Sequence, residues 1–152
     1  MASSVTGAIN TVTVGGTTIP LSSLIVLSGA TTTSGTVYQT LYKDGSKYTV
    51  TSGKTLYIFA ARYQSTGASS FNLGYGDTGV DNTTTAPTNA VTKLSGASVG
   101  AAGANLYVSS SSYPLNTPTE MSVYFTIPAG KLPYMVTNTA ANSYATFYCY
   151  EA

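Results

Sequence analysis

Apolar and polar residues alternate along most of this chain, and the alternation has the period of strands. In MSVYFTI, Met121, Val123, Phe125 and Ile127 fall on one side and Ser122, Tyr124 and Thr126 on the other, the spacing of a half-buried strand. Pro128-Ala129-Gly130-Lys131 breaks the run with a turn, since Pro presets φ and Gly accepts conformations other residues avoid. Leu132 to Thr137 resumes the extended pattern, Asn138 to Ser143 is a second polar turn, and Tyr144 to Tyr150 closes the chain as a strand. Upstream, Ile19 to Leu27 is expected as the first strong strand. Val37 to Tyr42 alternates and runs into Lys43-Asp44-Gly45-Ser46-Lys47, with Tyr48 to Thr51 expected as the return strand. Asp-Gly between alternating runs is a hairpin signal. Thr55 to Tyr63, TLYIFAARY, is the most apolar run and is expected at the centre of a sheet. Ser69 to Tyr75 and a strand starting at Leu106 follow, and Pro114 and Pro118 keep the stretch between 113 and 119 from being regular strand. No segment sustains the i, i+3, i+4, i+7 spacing of an amphipathic helix.

These elements set the organisation. About eight to ten short strands separated by turn signals over 152 residues are the pattern of one domain. The expected class is all-β: a single-domain, jelly-roll-like antiparallel β-sandwich. Residues 1–18 are expected as an extended N-terminal arm ahead of a sandwich domain over 19–152. Val12 and Val14 would form a short strand there, with Gly15-Gly16 as a hinge. A Thr- and Val-rich extended segment is suited to pairing with a neighbouring subunit's sheet edge. Gly76 to Asn105 is expected as a long irregular loop, tacked to the body by Val91 and Leu94. Loops of that length in compact domains are often functional.

Composition sharpens this picture. Charged residues make up 7% of the chain, against about 25% in an average domain. The net charge of +1 gives no electrostatic case for nucleic acid or an anionic membrane. Solubility must come from hydroxyls and amides, so association with another surface costs little charge desolvation. The single cysteine, Cys149, cannot form an internal disulfide and is expected as a small buried hydrophobe. The N-terminus has neither the basic nor the apolar region of a secretory signal. The longest apolar run is about half of what a spanning helix needs. Synthesis in the cytosol is therefore expected.

The chain has no histidine. That removes Ser-His-Asp and Cys-His triads, imidazole acid–base chemistry and histidine metal sites. Of the five carboxylates, Asp44, Asp77, Asp81, Glu120 and Glu151, only Asp77 and Asp81 lie close together. Their first reading is a turn, their second a calcium site, their last a glycosidase-type pair. No catalytic residue, metal ligand or cofactor is assigned, and no enzymatic activity is expected. Thirteen tyrosines offer either sheet packing or an interface with subunits or sugar rings.

Three segments carry a resemblance: FNLGYGDTGVDNTTTAPTNAV (Phe71–Val91), YFTIPAGKLPYMVTN (Tyr124–Asn138) and the closing YATFYCYEA. They resemble small β-rich capsid cement, or decoration, proteins of tailed bacteriophages, especially of cyanobacterial and marine phages. The resemblance covers about two thirds of the chain, and its motifs are structural. It implies a jelly-roll-like or β-tulip-like domain, a homotrimer, and a virion location after synthesis in the host cytoplasm. The implied partner is the major capsid protein, whose neighbouring subunits the domain would lock together. The residues expected at subunit or capsid contacts are Val12, Val14, Tyr75, Asp77, Asp81, Val91 and Leu94. The competing expectation is a receptor- or carbohydrate-binding head of a tail fibre or tailspike, with a shallow groove lined by tyrosine and a nearby Asp or Asn.

Overall fold

The computed structural model describes residues 11–14, 16–32, 35–67, 69–99, 105–109, 125–139 and 142–152; of the side chains of Val12, Leu94–Val99, Asn105–Ser109 and Thr139 nothing is described. The strands among these residues are β1 (Thr11–Val14), β2 (Thr17–Pro20), β3 (Ile25–Thr31), β4 (Gly35–Thr40), β5 (Tyr42–Lys43), β6 (Ser46–Lys47), β7 (Leu56–Ser65), β8 (Ser69–Gly76), β9 (Val91–Val99), β10 (Asn105–Ser109), β11 (Phe125–Ile127), β12 (Leu132–Thr139) and β13 (Ser143–Glu151). They build two sheets and a hairpin. One sheet runs β10-β7-β13-β3-β5-β6, with β11 also on β7. The other runs β4-β12-β8-β9, and β1 pairs β2. Every strand pairing is antiparallel.

The pairings are nested. β3 pairs β13, β4 pairs β12, β7 pairs β10 and β8 pairs β9. Within this set of four, early strands therefore meet late ones in order, and β8 and β9 close the nest as neighbours along the chain. The two sheets enclose a core of Leu27, Ile58, Tyr63, Phe147 and Cys149 from one side and Phe71, Leu73 and Met135 from the other, all essentially inaccessible to solvent. Tyr63 is the centre of an aromatic group, its ring 4.7 Å from Phe71 and 5.9 Å from Phe147. One end of the core is closed by buried hydroxyls. Thr31 and Thr137 share a hydrogen bond of 2.8 Å, and Ser143 meets Ser65 at 3.2 Å and Ser69 at 3.1 Å. Pairing each hydroxyl removes the cost of burying it.

The apolar run expected at a sheet centre is β7, flanked by β13 on one side and β10 and β11 on the other. Its inner face meets the core and its outer face meets the β1–β2 hairpin, and a bulge sets which residues face each side. Tyr148 opposes Ala60 and Cys149 opposes Ile58, so Phe59 is an extra residue on β7. Leu56, Ile58, Ala61 and Tyr63 face the inner core. Phe59 and Ala60 turn outward into a second cluster with Val14, Ile19 and Tyr150. Tyr57 stacks on Tyr150 in that cluster, centroids 4.8 Å apart.

Four expectations are corrected. The strands Thr11–Val14 and Thr17–Pro20, the greater part of which was expected in an extended arm, form a hairpin that lies on the outer face of the larger sheet. Residues 1–10 lie outside the described residues. The strand expected over Ile19–Leu27 is broken, because Pro20 leads into a 3-10 turn at Leu21–Ser23. The return strand of the Asp44-Gly45 hairpin is only Ser46–Lys47. Beyond it, Tyr48 N–H adds one more hairpin bond, to Leu41 O, but Val50 N–H donates to Lys131 O, so the segment leaves the ladder for a second neighbour. The turn itself forms as its residues require, with φ of 50° at Asp44 and 81° at Gly45. Finally, the long loop ends early: Val91–Val99 is strand β9, paired to β8 with two register shifts. The shifts break the period of two that would have marked it. Of the C-terminal run, Met121 to Tyr124 lies outside the described residues, and Phe125–Ile127 is β11.

Candidate functional site

Residues 77–90 follow β8 and run along the outer edge of β4, the terminal strand of its sheet. Tyr38 N–H donates to Thr83 O at 2.7 Å, Thr83 N–H to Tyr38 O at 3.2 Å, and Thr40 N–H to Val80 O at 2.9 Å. The loop thereby occupies hydrogen-bonding groups that an open edge would offer to another chain. Asn82 and Asn89 take positive φ, 44° and 50°, which Asn tolerates.

The two aspartates of this loop go separate ways. Asp77 pairs with Lys131 of the Pro128–Lys131 turn and accepts from Asn89 Nδ2 at 2.6 Å. Asp81 accepts from Lys47 Nζ at 2.6 Å, from the Tyr42 hydroxyl, and from Gln39 Nε2 at 3.1 Å. Lys131, with Asn89, holds the Asp77 carboxyl below the usual range, and Lys47, Tyr42 and Gln39 do the same for Asp81. Accepting carboxylate beside it pushes the Tyr42 hydroxyl upward. Each aspartate is thus a clip between the loop and a different part of the body. The calcium reading finds no support in geometry: among the described residues no three His, Cys, Asp or Glu side chains cluster.

Glu151 has a third structural role. It accepts from the Tyr48 hydroxyl and from Thr51 N–H at 2.8 Å, tying the irregular 48–51 segment to the end of β13. Burial alone would raise its pKa, but these donors outweigh it and the net shift is downward. Asp44 sits in the hairpin turn, and Glu120 lies outside the described residues.

A shallow groove of about 560 Å³ opens on the outer face of the β3–β13 pair. It lies beyond the part of that face covered by the β1–β2 hairpin. Its floor is made of small residues in register, Ser28 opposite Thr146 and Ala30 opposite Tyr144, with Gly29 and Ala145 between. Tyr144 forms one wall and remains 43% exposed. Tyr42, Gln39 and Asp81 form the other. β3 pairs β5 at Ser28–Tyr42 alone, which brings the Tyr42 wall alongside. Gln39 is buried and fixed by Thr40 O and Asn82 N–H, so the Asp81 carboxylate is held by ordered donors while half its side chain stays exposed.

The residues expected at an interface fall in three places. Val14 is fully buried beneath the hairpin. Val12 pairs with Ile19 in the same hairpin. Tyr75, Val91 and Leu94 lie together on β8 and β9 of the smaller sheet, with Tyr75 opposite Val91 and Leu73 opposite Leu94. Tyr75 is half-buried and carries Lys93 over its ring at 5.6 Å, while Val91 is 39% exposed. Asp77 is adjacent, and only Asp81 reaches the groove. Of the groove residues sequence reasoning singled out Asp81, with Tyr42 and Tyr144 present only among the thirteen tyrosines, and it missed Ser28, Gln39 and Thr146; Ser28 and Thr146 point outward on their strands, whereas Gln39 shares the inward parity of Val37 and Leu41. No family model, curated protein or solved structure matches this chain.

Proposed function

We propose that this protein is a non-enzymatic jelly roll of a phage virion, binding the outer surface of an icosahedral capsid as a homotrimer and cementing neighbouring major capsid subunits. The nested order supports the jelly-roll reading: β3-β13-β7-β10 faces β4-β12-β8-β9, as when one long hairpin is rolled across two sheets. Viral capsid and lectin domains share that architecture, and fold alone does not decide among functions. The observation that carries the proposal is the commitment of the described acids to the fold. Asp77, Asp81 and Glu151 each serve as acceptors that pin one segment to another. What remains for association is broad sheet surface rich in hydroxyl and tyrosine with little charge. Such a surface suits many weak contacts multiplied by symmetry.

Cryo-electron microscopy of purified particles tests this. Density for the protein is expected on the shell at junctions between capsid subunits. Density confined to the tail tip removes the proposal. Mass measurement in native buffer is expected to give three copies.

A further inference from the structure

We infer that the groove between Tyr144 and the Tyr42–Asp81 pair is a binding site for a neutral sugar residue. The inference goes beyond capsid attachment and does not depend on it.

The chemistry of the groove selects among ligands by exclusion. The groove lining holds no cation, and the nearby Lys47 is already paired with Asp81, so phosphate, sialylated and sulfated ligands find no counter-charge there. A cation would have to displace Lys47, already 2.6 Å from Asp81 Oδ2. No second carboxylate stands ready to help it among the groove residues. A purely apolar ligand would cover the hydroxyls of Ser28 and Thr146 without pairing them, which is costly. A neutral sugar satisfies each feature at once. Its hydroxyls donate to Asp81, which has about four acceptor positions and receives three protein donors. The same hydroxyls exchange hydrogen bonds with Ser28 and Thr146. The apolar C–H face of the ring packs on Tyr144, an exposed aromatic that has no covering partner of its own in the outer cluster. Ser28, Ala30 and Thr146 are the small outward residues of the floor, while Gly29 and Ala145 turn their β-carbon side into the core, so a flat ring can lie close to the sheet. The volume, about 560 Å³, falls within the roughly 300–1,000 Å³ of small-molecule sites. The carboxylate is already oriented by Tyr42, Gln39 and Lys47, so little ordering is needed on binding.

The test uses the full chain on an array of oligosaccharides built from neutral hexoses and N-acetylhexosamines, beside sialylated and sulfated ones. The best-bound oligosaccharide is then titrated in solution against the protein and three variants, with thermal melting of each. Saturable binding to neutral members is expected. Tyr144→Ala is expected to weaken it about tenfold with an unchanged melting temperature, because this side chain lies outside both apolar clusters. Tyr144→Phe is expected to keep it. Asp81→Asn is expected to weaken it as well; since that change also loosens the loop, Tyr144→Ala decides the matter. Retention of acidic glycans only, absence of saturable binding, or equal affinity of Tyr144→Ala each overturns the assignment.

Discussion

Gly74 and Val91 approach so closely that a β-carbon on Gly74 would stand 2.0 Å from the Val91 carbonyl oxygen, and 2.8 Å from the Tyr134 hydroxyl. The first obstacle is backbone, so it cannot rotate away. The contact exists because β9 crosses Gly74 at a register shift, where Leu73 opposes Leu94 and Gly74 opposes Thr92. Gly74→Ala is therefore expected to push β9 off β8 and destabilise the protein by about 1–3 kcal/mol. Chemical denaturation measures this, and a stability equal to wild type would show that β9 does not cross Gly74 at this register.

The hairpin of β1 and β2 is held by Val14 and Ile19 against Phe59 and Tyr150. Phe59→Ala should cost about 3–5 kcal/mol, as expected for a large aromatic lost from a packed site. Val14→Ala should cost less, and the two changes should be non-additive because their side chains belong to one cluster. A double-mutant cycle by thermal or urea unfolding checks it. If Val14→Ala is silent and the cycle shows no coupling, the hairpin is an arm that packs elsewhere.

Acid should open the 77–90 loop before the core. Asp77 and Asp81 have folded-state pKa values below the ordinary carboxylate value. Their contribution is thus present above the unfolded value of about 4 and is lost as pH falls through the lower folded values. Lys47 is shifted upward by Asp81, so its contribution is intact below about pH 10.4 and fades above it. Both pairs are partly exposed and should weaken with salt. Hydrogen-exchange protection of the Val80, Asn82 and Thr83 amides, bonded to Thr40, Gln39 and Tyr38, should fall below about pH 4 while β13 stays protected. Protection that is flat down to pH 2 would show that the clips do not hold the loop.

Cys149 is fully buried in the inner core, and burial pushes its thiol pKa upward. A buried neutral thiol is a poor nucleophile. Ellman's reagent should find no reactive thiol in the native protein and one per chain in denaturant, as befits the chain's single cysteine. Rapid native labelling would contradict the packing of β13 against β7.

Strand parity was legible wherever it ran without interruption. Ser69–Tyr75, Leu132–Thr137, Tyr144–Tyr150 and all of Val37–Tyr42 but its end, which crosses to the other sheet at β5, could be placed from the alternation of their own residues, because a strand's period of two is a local property. The Asp44-Gly45 turn was equally local, since it rests on the φ those two residues accept. The low charge and the missing histidine narrowed the chemistry in the same way, through residue inventory alone. Other features arise from contacts between distant segments. The bulge at Phe59 shows only when β7 is laid against β13, and two register shifts hid β9 inside an Ala-, Gly- and Ser-rich stretch. Val14 looked like part of a free arm until Phe59 and Tyr150 covered it. Asp81 met Lys47 and Tyr42 only once the loop had folded along β4, and the groove formed only when β13 set Tyr144 beside β3. Pairing partners are chosen by shape and hydrogen bonding across the whole molecule, and no window of neighbouring residues contains that choice.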